Sequence, residues 1–265
     1  MQSNLRRLLF KAGIIIFTLP GSGQLRAQRS NPYATIAAIP VPQGYHRIPA
    51  GAASFAAWLR NIPLKKDRTV YLFDGRLKRN QDAQFAVLDI SVGKQDLQQC
   101  ADAVMRLRSE YLYSLHSYSS IEFYTEQGAR LNFGQWQQVK GSDPGSFRNY
   151  LTTVFTYCST RTLEKQLVPV TNYRTISGGD VLIRGGSPGH AMLVADIAED
   201  AAGRRIYLLS QSYMPAQDIH IVNNPGNAAI SPWFDSNAPD IYIETPEWTF
   251  RTNELRCWPT PAGKR

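Results

Sequence analysis

The chain has 265 residues, 43% of them hydrophobic, which is enough to bury one large core, and its patterning asks for a single domain plus termini. The net charge is +8, but Arg6, Arg7, Lys11 and Arg26 supply four of those charges from a first stretch, residues 1–27, that holds no acid. No Lys/Arg run with interleaved aromatics follows, which argues against nucleic-acid binding, and no two cysteines or histidines are spaced as a ligand pair, so neither a metal nor another cofactor is expected.

In chain order, the basic residues at 6, 7 and 11 precede an apolar run at 12–19, a Pro-Gly-Ser-Gly breaker and Leu25-Arg26-Ala27-Gln28. The run is too short to span a bilayer as a helix, so residues 1–27 read as a cleaved export signal, with a buried N-terminal helix as the alternative. That places the protein in the periplasm or outside the cell, with no stable membrane anchor after cleavage. Residues 28–44, with Pro32, Pro40 and Pro42, read as an extended leader into a domain over 45–258. Ser54 is positioned to cap a short helix, Phe55-Ala56-Ala57-Trp58-Leu59. Residues 70–92 predict a hairpin: one strand at 70–73, a turn at Asp74-Gly75, and a second strand at 85–90. Arg76, Lys78 and Arg79 crowd the arm between them, either as a solvated loop or as a contact for an anionic polymer.

The strongest helical pattern opens at Asp96, which is expected to cap it, and draws one apolar stripe through Leu97, Cys100, Ala101, Val104, Leu107, Tyr111, Leu112 and Leu115. Cys100 then lies in the first turns on the core side, where the positive helix end favours a thiolate. Residues 121–124 read as a strand. A second helix is expected over 147–167, with Cys158 well inside it. Cys257 falls near Pro259, in the approach to a tail at 259–265, and three cysteines leave at least one thiol unpaired.

The stretch from Gly178 to Tyr213 looks like the centre of the fold. A turn and Asp180 lead to the strand Val181-Leu182-Ile183. A flexible tip, Arg184-Gly185-Gly186-Ser187-Pro188-Gly189, leads to a strand that begins at His190 and returns as the strand 206–213. With the turn centred near Ala201-Ala202, His190 lies opposite Tyr213 and Gln211 is its diagonal neighbour on the same face. A one-residue slip would put Ser210 there instead. Asp196 is a poorer partner, because six strand residues carry it about 20 Å away.

A cysteine at a helix start, a histidine on the sheet beside it and a polar residue holding the ring together form the working set of a thiol hydrolase. The candidates are Cys100 as nucleophile, His190 as base and Gln211 as the residue that holds the ring. Each has a plainer reading: Cys100 as a small core residue, His190 as a structural histidine, Gln211 as a strand-end amide. Cys158 is the rival nucleophile, and His116 and His220 have no evident partner.

Several motifs carry a resemblance. They are Asp74-Gly75-Arg76-Leu77-Lys78, the run from Gln98 through Cys100 to Arg108, Gly185-Gly186-Ser187-Pro188-Gly189-His190-Ala191, the run from Gln211 to His220, and Pro246-Glu247-Trp248-Thr249-Phe250. On these the chain resembles exported bacterial proteins that share the domain of unknown function 4846, over about residues 48–258. A looser similarity is to NlpC-type papain-like cell-wall cysteine peptidases. It rests on Cys100, Gly179-Asp180 and Gly189-His190, although Gln99-Cys100-Ala101 stands where those proteins have Asp-Cys-Ser, and the separation from Cys to His is long. The expected fold class is therefore α+β, a papain-like (NlpC-type) antiparallel sheet packed against helices in a single domain. The expected function is an exported thiol hydrolase of amide bonds acting on peptidoglycan or another cell-envelope polymer. The alternative is a non-catalytic binding or structural module on the same scaffold, in which the aromatics around Trp136 and Trp233 matter more than the thiol.

Overall fold

A computed structural model describes residues 30–237 and 241–259. The predicted export signal, and the predicted tail beyond Pro259, lie outside the described residues. Residues 30–44 run over the domain surface into a short 3₁₀ turn, Ile36–Ala38, and bury Ile36 and Ile39 completely in the core.

Taken along the chain, β1 (Tyr45–Arg47) leads to α1 (Phe55–Arg60), where the Ser54 hydroxyl accepts the Ala57 N–H at 3.2 Å, a cap that satisfies one of the open donors of the first turn. Next come β2 (Gln84–Val87), α2 (Cys100–Ser114), the small hairpin β3 (Glu122–Tyr124) and β4 (Arg130–Asn132), and α3 (Phe133–Lys140). Helices α4 (Pro144–Tyr157) and α5 (Thr160–Gln166) lead to β5 (Val168–Pro169), β6 (Val181–Arg184), β7 (His190–Asp200) and β8 (Arg205–Gln211). The chain closes with β9 (His220–Val222), β10 (Phe234–Asp235), the hairpin β11 (Tyr242–Glu244) and β12 (Thr249–Arg251), and β13 (Leu255–Cys257).

The hairpin β7/β8 is the axis. Among the described residues one antiparallel sheet has the order β2-β9-β8-β7-β6-β13-β5, with β1 on the far end of β7 and β10 on the far end of β8. Near the site Leu193 pairs with Ser210 and Val194 with Leu209, the register expected from the sequence. Beyond it the register shifts between Val194 and Asp196, a bulge that hands Asp196 to the other face, where it bonds Arg47 at 2.7 Å and Arg60 at 2.5 Å. Asp196 is thus a buried structural anchor for two arginines, away from His190.

Alternation along β7 gives the sheet two buried faces. Ala191, Leu193 and Ala195 face the α2 residues Ala101, Val104 and Leu107, together with Tyr150, Leu151 and Val154 of α4. Met192 and Val194 face Tyr207, Leu209, Phe250 and Leu255. Both faces of β7 being covered explains why nine of its residues in succession are buried, giving an apolar run without alternation. The molecule is a mixed α+β domain, as the sequence implied at that level.

Three local expectations are corrected. The segment at 70–73 does not pair with 85–90: Tyr71 bridges Leu77 around the Asp74-Gly75 turn, Leu72 bridges Gln217, and β2 pairs with β9. The helix expected over 147–167 is two helices, because Cys158 ends α4 and the Ser159 hydroxyl accepts from the N–H groups of Arg161 and Thr162 to start α5. And α2 starts at Cys100, not near Asp96, whose carboxylate instead accepts the Ala216 N–H at 2.7 Å.

Candidate active site

That later start puts Cys100 at the first residue of α2, closer to the helix end than the sequence suggested. Gln99, the residue before it, donates its N–H to Asp102 Oδ2 at 3.0 Å, the back-bond that holds the chain as it enters the helix. The thiol sits beside the N–H groups of Ala191, Ala101 and Cys100 itself, all of which favour the thiolate. Burial outweighs them and pushes the thiol up to about 11, with the Asp102 carboxyl raising it further. The N–H groups at the helix start do favour the thiolate, as expected, but burial outweighs them and the resting group is the neutral thiol. Asp102 is itself enclosed, and desolvation carries its carboxyl up to about 8.

His190 opens β7 directly after the tip, and there the sequence has little choice. A Cβ at Gly189 would meet the Gly186 carbonyl at 2.4 Å, Thr160 Oγ1 at 2.6 Å and the Arg184 carbonyl at 2.8 Å. The glycine lets the chain double back against α5, so the close approach is made by backbone. The His190 ring is boxed by Tyr213, Trp248 and Phe250, with centroids 4.8, 5.3 and 5.8 Å away. Burial pushes the imidazole down to about 4, which the bond to Gln211 only partly offsets, so the ring is neutral at pH 7.

Gln211 is where the hairpin register places it, and its Oε1 lies 2.8 Å from His190 Nε2. Its Nε2 lies 2.8 Å from Glu247 Oε2 and 3.3 Å from His220 Nε2. Lys78 Nζ reaches the same Glu247 oxygen at 2.7 Å and His220 Nε2 at 3.4 Å. Two expectations change here. Lys78 is buried, with 5% of its side chain exposed, so of the three basic residues on that arm it belongs neither to a solvated loop nor to a surface for polymers. His220 is fully buried and does have partners, and burial together with the Lys78 charge drives it down to about 3.

Helix α2 packs on one face of the sheet and the His190 box on the other, and the two groups come round the end of β7 to line one cavity of about 510 Å³. Its wall also carries Asp102, Cys158, Tyr213 and Trp248, and among the described residues no lysine or arginine lines it. Among the described residues no hydrogen bond joins the Cys100 thiol to His190, and His190 Nδ1 makes none. Cys158, the rival thiol, sits at the α4/α5 break beside the same cavity, and burial pushes it up to about 12. Cys100, Cys158 and Cys257 are all free. Of the aromatics considered for a binding module, Trp233 is buried with its indole N–H on the Pro40 carbonyl, and Trp136 is half-buried with its indole N–H on Ser146 Oγ. Among the described residues no group of three or more His, Cys, Asp or Glu side chains could hold a metal ion.

Lys78, His220, Glu247 and Trp248 are members of the site that residue type and spacing do not single out. The signal that could have found them was present: they fall in motifs that carried the resemblance, Asp74 to Lys78, Gln211 to His220 and Pro246 to Phe250. No curated protein and no solved structure matches the chain. The family described as Domain of unknown function (4846) matches over residues 36–257, most of the sequence and all of the residues that build this cavity, and the chain belongs to that family.

Proposed function

We propose that the protein is a thiol hydrolase of amide bonds, with Cys100 as nucleophile, His190 as general base and Gln211 holding the imidazole. One observation carries the reading: Cys100 at a helix start and His190 line the same cavity, with His190 Nε2 bonded to a side-chain carbonyl and Nδ1 left without a hydrogen bond among the described residues. We place the sheet and helices in the papain-like, NlpC-type class on the same ground, as a proposal about fold that goes with the chemistry.

In the first step the Cys100 S–H proton passes to His190 Nδ1 as sulfur attacks the amide carbonyl carbon. The oxyanion so formed meets backbone N–H groups at the start of α2, Cys100's own among them. Collapse breaks the C–N bond, the imidazolium returns its proton to the leaving amine, and water releases the acid from the thioester. Because thiol and imidazole both rest neutral, attack is base-assisted and begins from an uncharged pair. Hydrogen bonds of this kind are commonly long in free enzymes and tighten when substrate excludes water.

The substrate class that fits export of the chain is a peptide or amide of the cell envelope. The competing reading is a binding module that keeps the scaffold, favoured by the lack of a direct bond between thiol and imidazole. Labelling of the full chain with a thiol-directed electrophile, followed by mass-spectrometric location of the modified cysteine, separates them. The hydrolase reading expects modification at Cys100 that is lost in Cys100→Ala, slowed in His190→Ala and retained in Cys158→Ala. Equal labelling of the Cys100→Ala and Cys158→Ala variants refutes it.

A further inference from the structure

We infer that Lys78, Glu247 and His220 are positioning residues that dictate which ring nitrogen of His190 carries its proton. The inference rests on the reading of His190 as a base. The His220 Nδ1 atom is 2.9 Å from the Asp218 carbonyl, which can only accept, so that nitrogen bears the hydrogen and Nε2 presents a lone pair. Two acceptors therefore converge on one end of the Gln211 amide, His220 Nε2 at 3.3 Å and Glu247 Oε2 at 2.8 Å. An amide has two N–H donors at one end and an oxygen at the other. Both donors are consumed, and Oε1 is left facing His190 Nε2 at 2.8 Å, where only a donor fits.

Turning the amide over would set its oxygen against a carboxylate oxygen and an imidazole lone pair at once. The network thus allows one orientation, and with it one His190 tautomer: hydrogen on Nε2, lone pair on Nδ1. Lys78 has a separate part. Without it, Glu247 would be an uncompensated charge behind the amide, and its field would draw a proton onto His190. The Lys78 ammonium, 2.7 Å from Glu247, cancels that field and lets the ring stay neutral while Glu247 remains an acceptor. Glu247 and Lys78 touch neither thiol nor cavity in this arrangement; they act through Gln211 and His220.

The tautomer can be read without any turnover. In full-length protein labelled with nitrogen-15 in its four histidines, long-range proton–nitrogen correlation at pH 7 distinguishes the two neutral forms, and His190→Gln assigns the ring. The expected result is His190 wholly in the Nε2–H form and His220 in the Nδ1–H form. Glu247→Gln keeps an oxygen acceptor for the Gln211 amide and should leave the tautomer unchanged. The double variant Lys78→Met/Glu247→Met removes the acceptor without stranding a buried charge, and the Nδ1–H form of His190 should then rise to a tenth or more of the signal. The inference is overturned if wild-type His190 is Nδ1–H or mixed, a measurement that needs no variant to fold, or if the folded double variant stays wholly Nε2–H. Failure to label Cys100 would count against the hydrolase reading and leave these spectra unaffected, so the two failures are distinguishable.

Discussion

Acidification is the perturbation whose size follows most directly from the site. An ordinary histidine titrates near 6.5, and burial holds His190 at about 4 in the folded chain. The folded state therefore binds this proton less readily than the unfolded chain, so the stability it contributes is full above pH 6.5 and is lost as the pH falls toward 4. A displacement of between two and three pH units at roughly 1.4 kcal/mol each amounts to about 3 kcal/mol. His220, held at about 3, adds a term of the same sign over the same range. The pair together removes about 6 kcal/mol by pH 4, against a total stability on the order of 5–15 kcal/mol. Urea unfolding of wild type and His190→Gln at pH 7, 5.5 and 4 tests this, because the other titrating groups and the fixed cost of the substitution cancel in the difference. The wild type should lose about 3 kcal/mol more than the variant between pH 7 and pH 4. A difference under about half a kcal/mol would refute the claim that His190 is buried as a neutral ring.

Three further outcomes are expected. Gly189→Ala should cost at least about 1–3 kcal/mol in chemical denaturation, since its Cβ would meet backbone oxygens at 2.4 and 2.8 Å that cannot step aside; a neutral substitution would mean the tip is loose. With Cys100 held at about 11, its alkylation by iodoacetamide should rise roughly tenfold per pH unit from pH 7 to 10, and a plateau near neutrality would mean a resting thiolate. The Asp102 carboxyl, raised to about 8, contributes stability that is full below its ordinary value near 3.8 and lost as the pH rises through 8. Asp102→Asn should therefore be more stable than wild type at pH 9 and gain less at pH 4, as thermal melts at the two pH values can read.

What could be read from the sequence was local, and what could not was set by distant contacts. The β7/β8 register follows from the position of one turn and the two-residue period of a strand, so the pairing of Leu193 with Ser210, and with it the meeting of His190 and Gln211, is available in advance. The bulge after Val194 is not, because the partners it gives Asp196, Arg47 and Arg60, lie well over a hundred residues away in the chain. The split between α4 and α5 was legible in principle, since Ser159 and Thr162 have the spacing of a cap and its return bond, but the apolar periodicity ran through it. The start of α2 misled for the opposite reason: Asp96 has the right chemistry for a cap and is drawn off by the Ala216 N–H. Lys78 looked solvated because charge clusters usually are; only a carboxylate at position 247 makes its burial tolerable.

The two ionisable groups at the centre are moved in opposite directions by one cause. Burial raises a thiol and lowers an imidazole, so the same wall that shields Cys100 and His190 widens the gap between their proton affinities and forbids a resting ion pair. A preformed thiolate with an imidazolium would need that gap inverted. On the hydrolase reading proposed above, substrate narrows it by bringing new polarity into the cavity, and the groups that would respond are N–H donors at the start of α2 for developing negative charge and the Gln211 carbonyl for an imidazolium. On that reading the polar contacts serve the charged state that follows proton transfer, while the resting pair is neutral. A hydrolase site of this design would label slowly with small electrophiles near neutral pH, faster as the pH rises, and would gain reactivity from a substrate that fills the cavity.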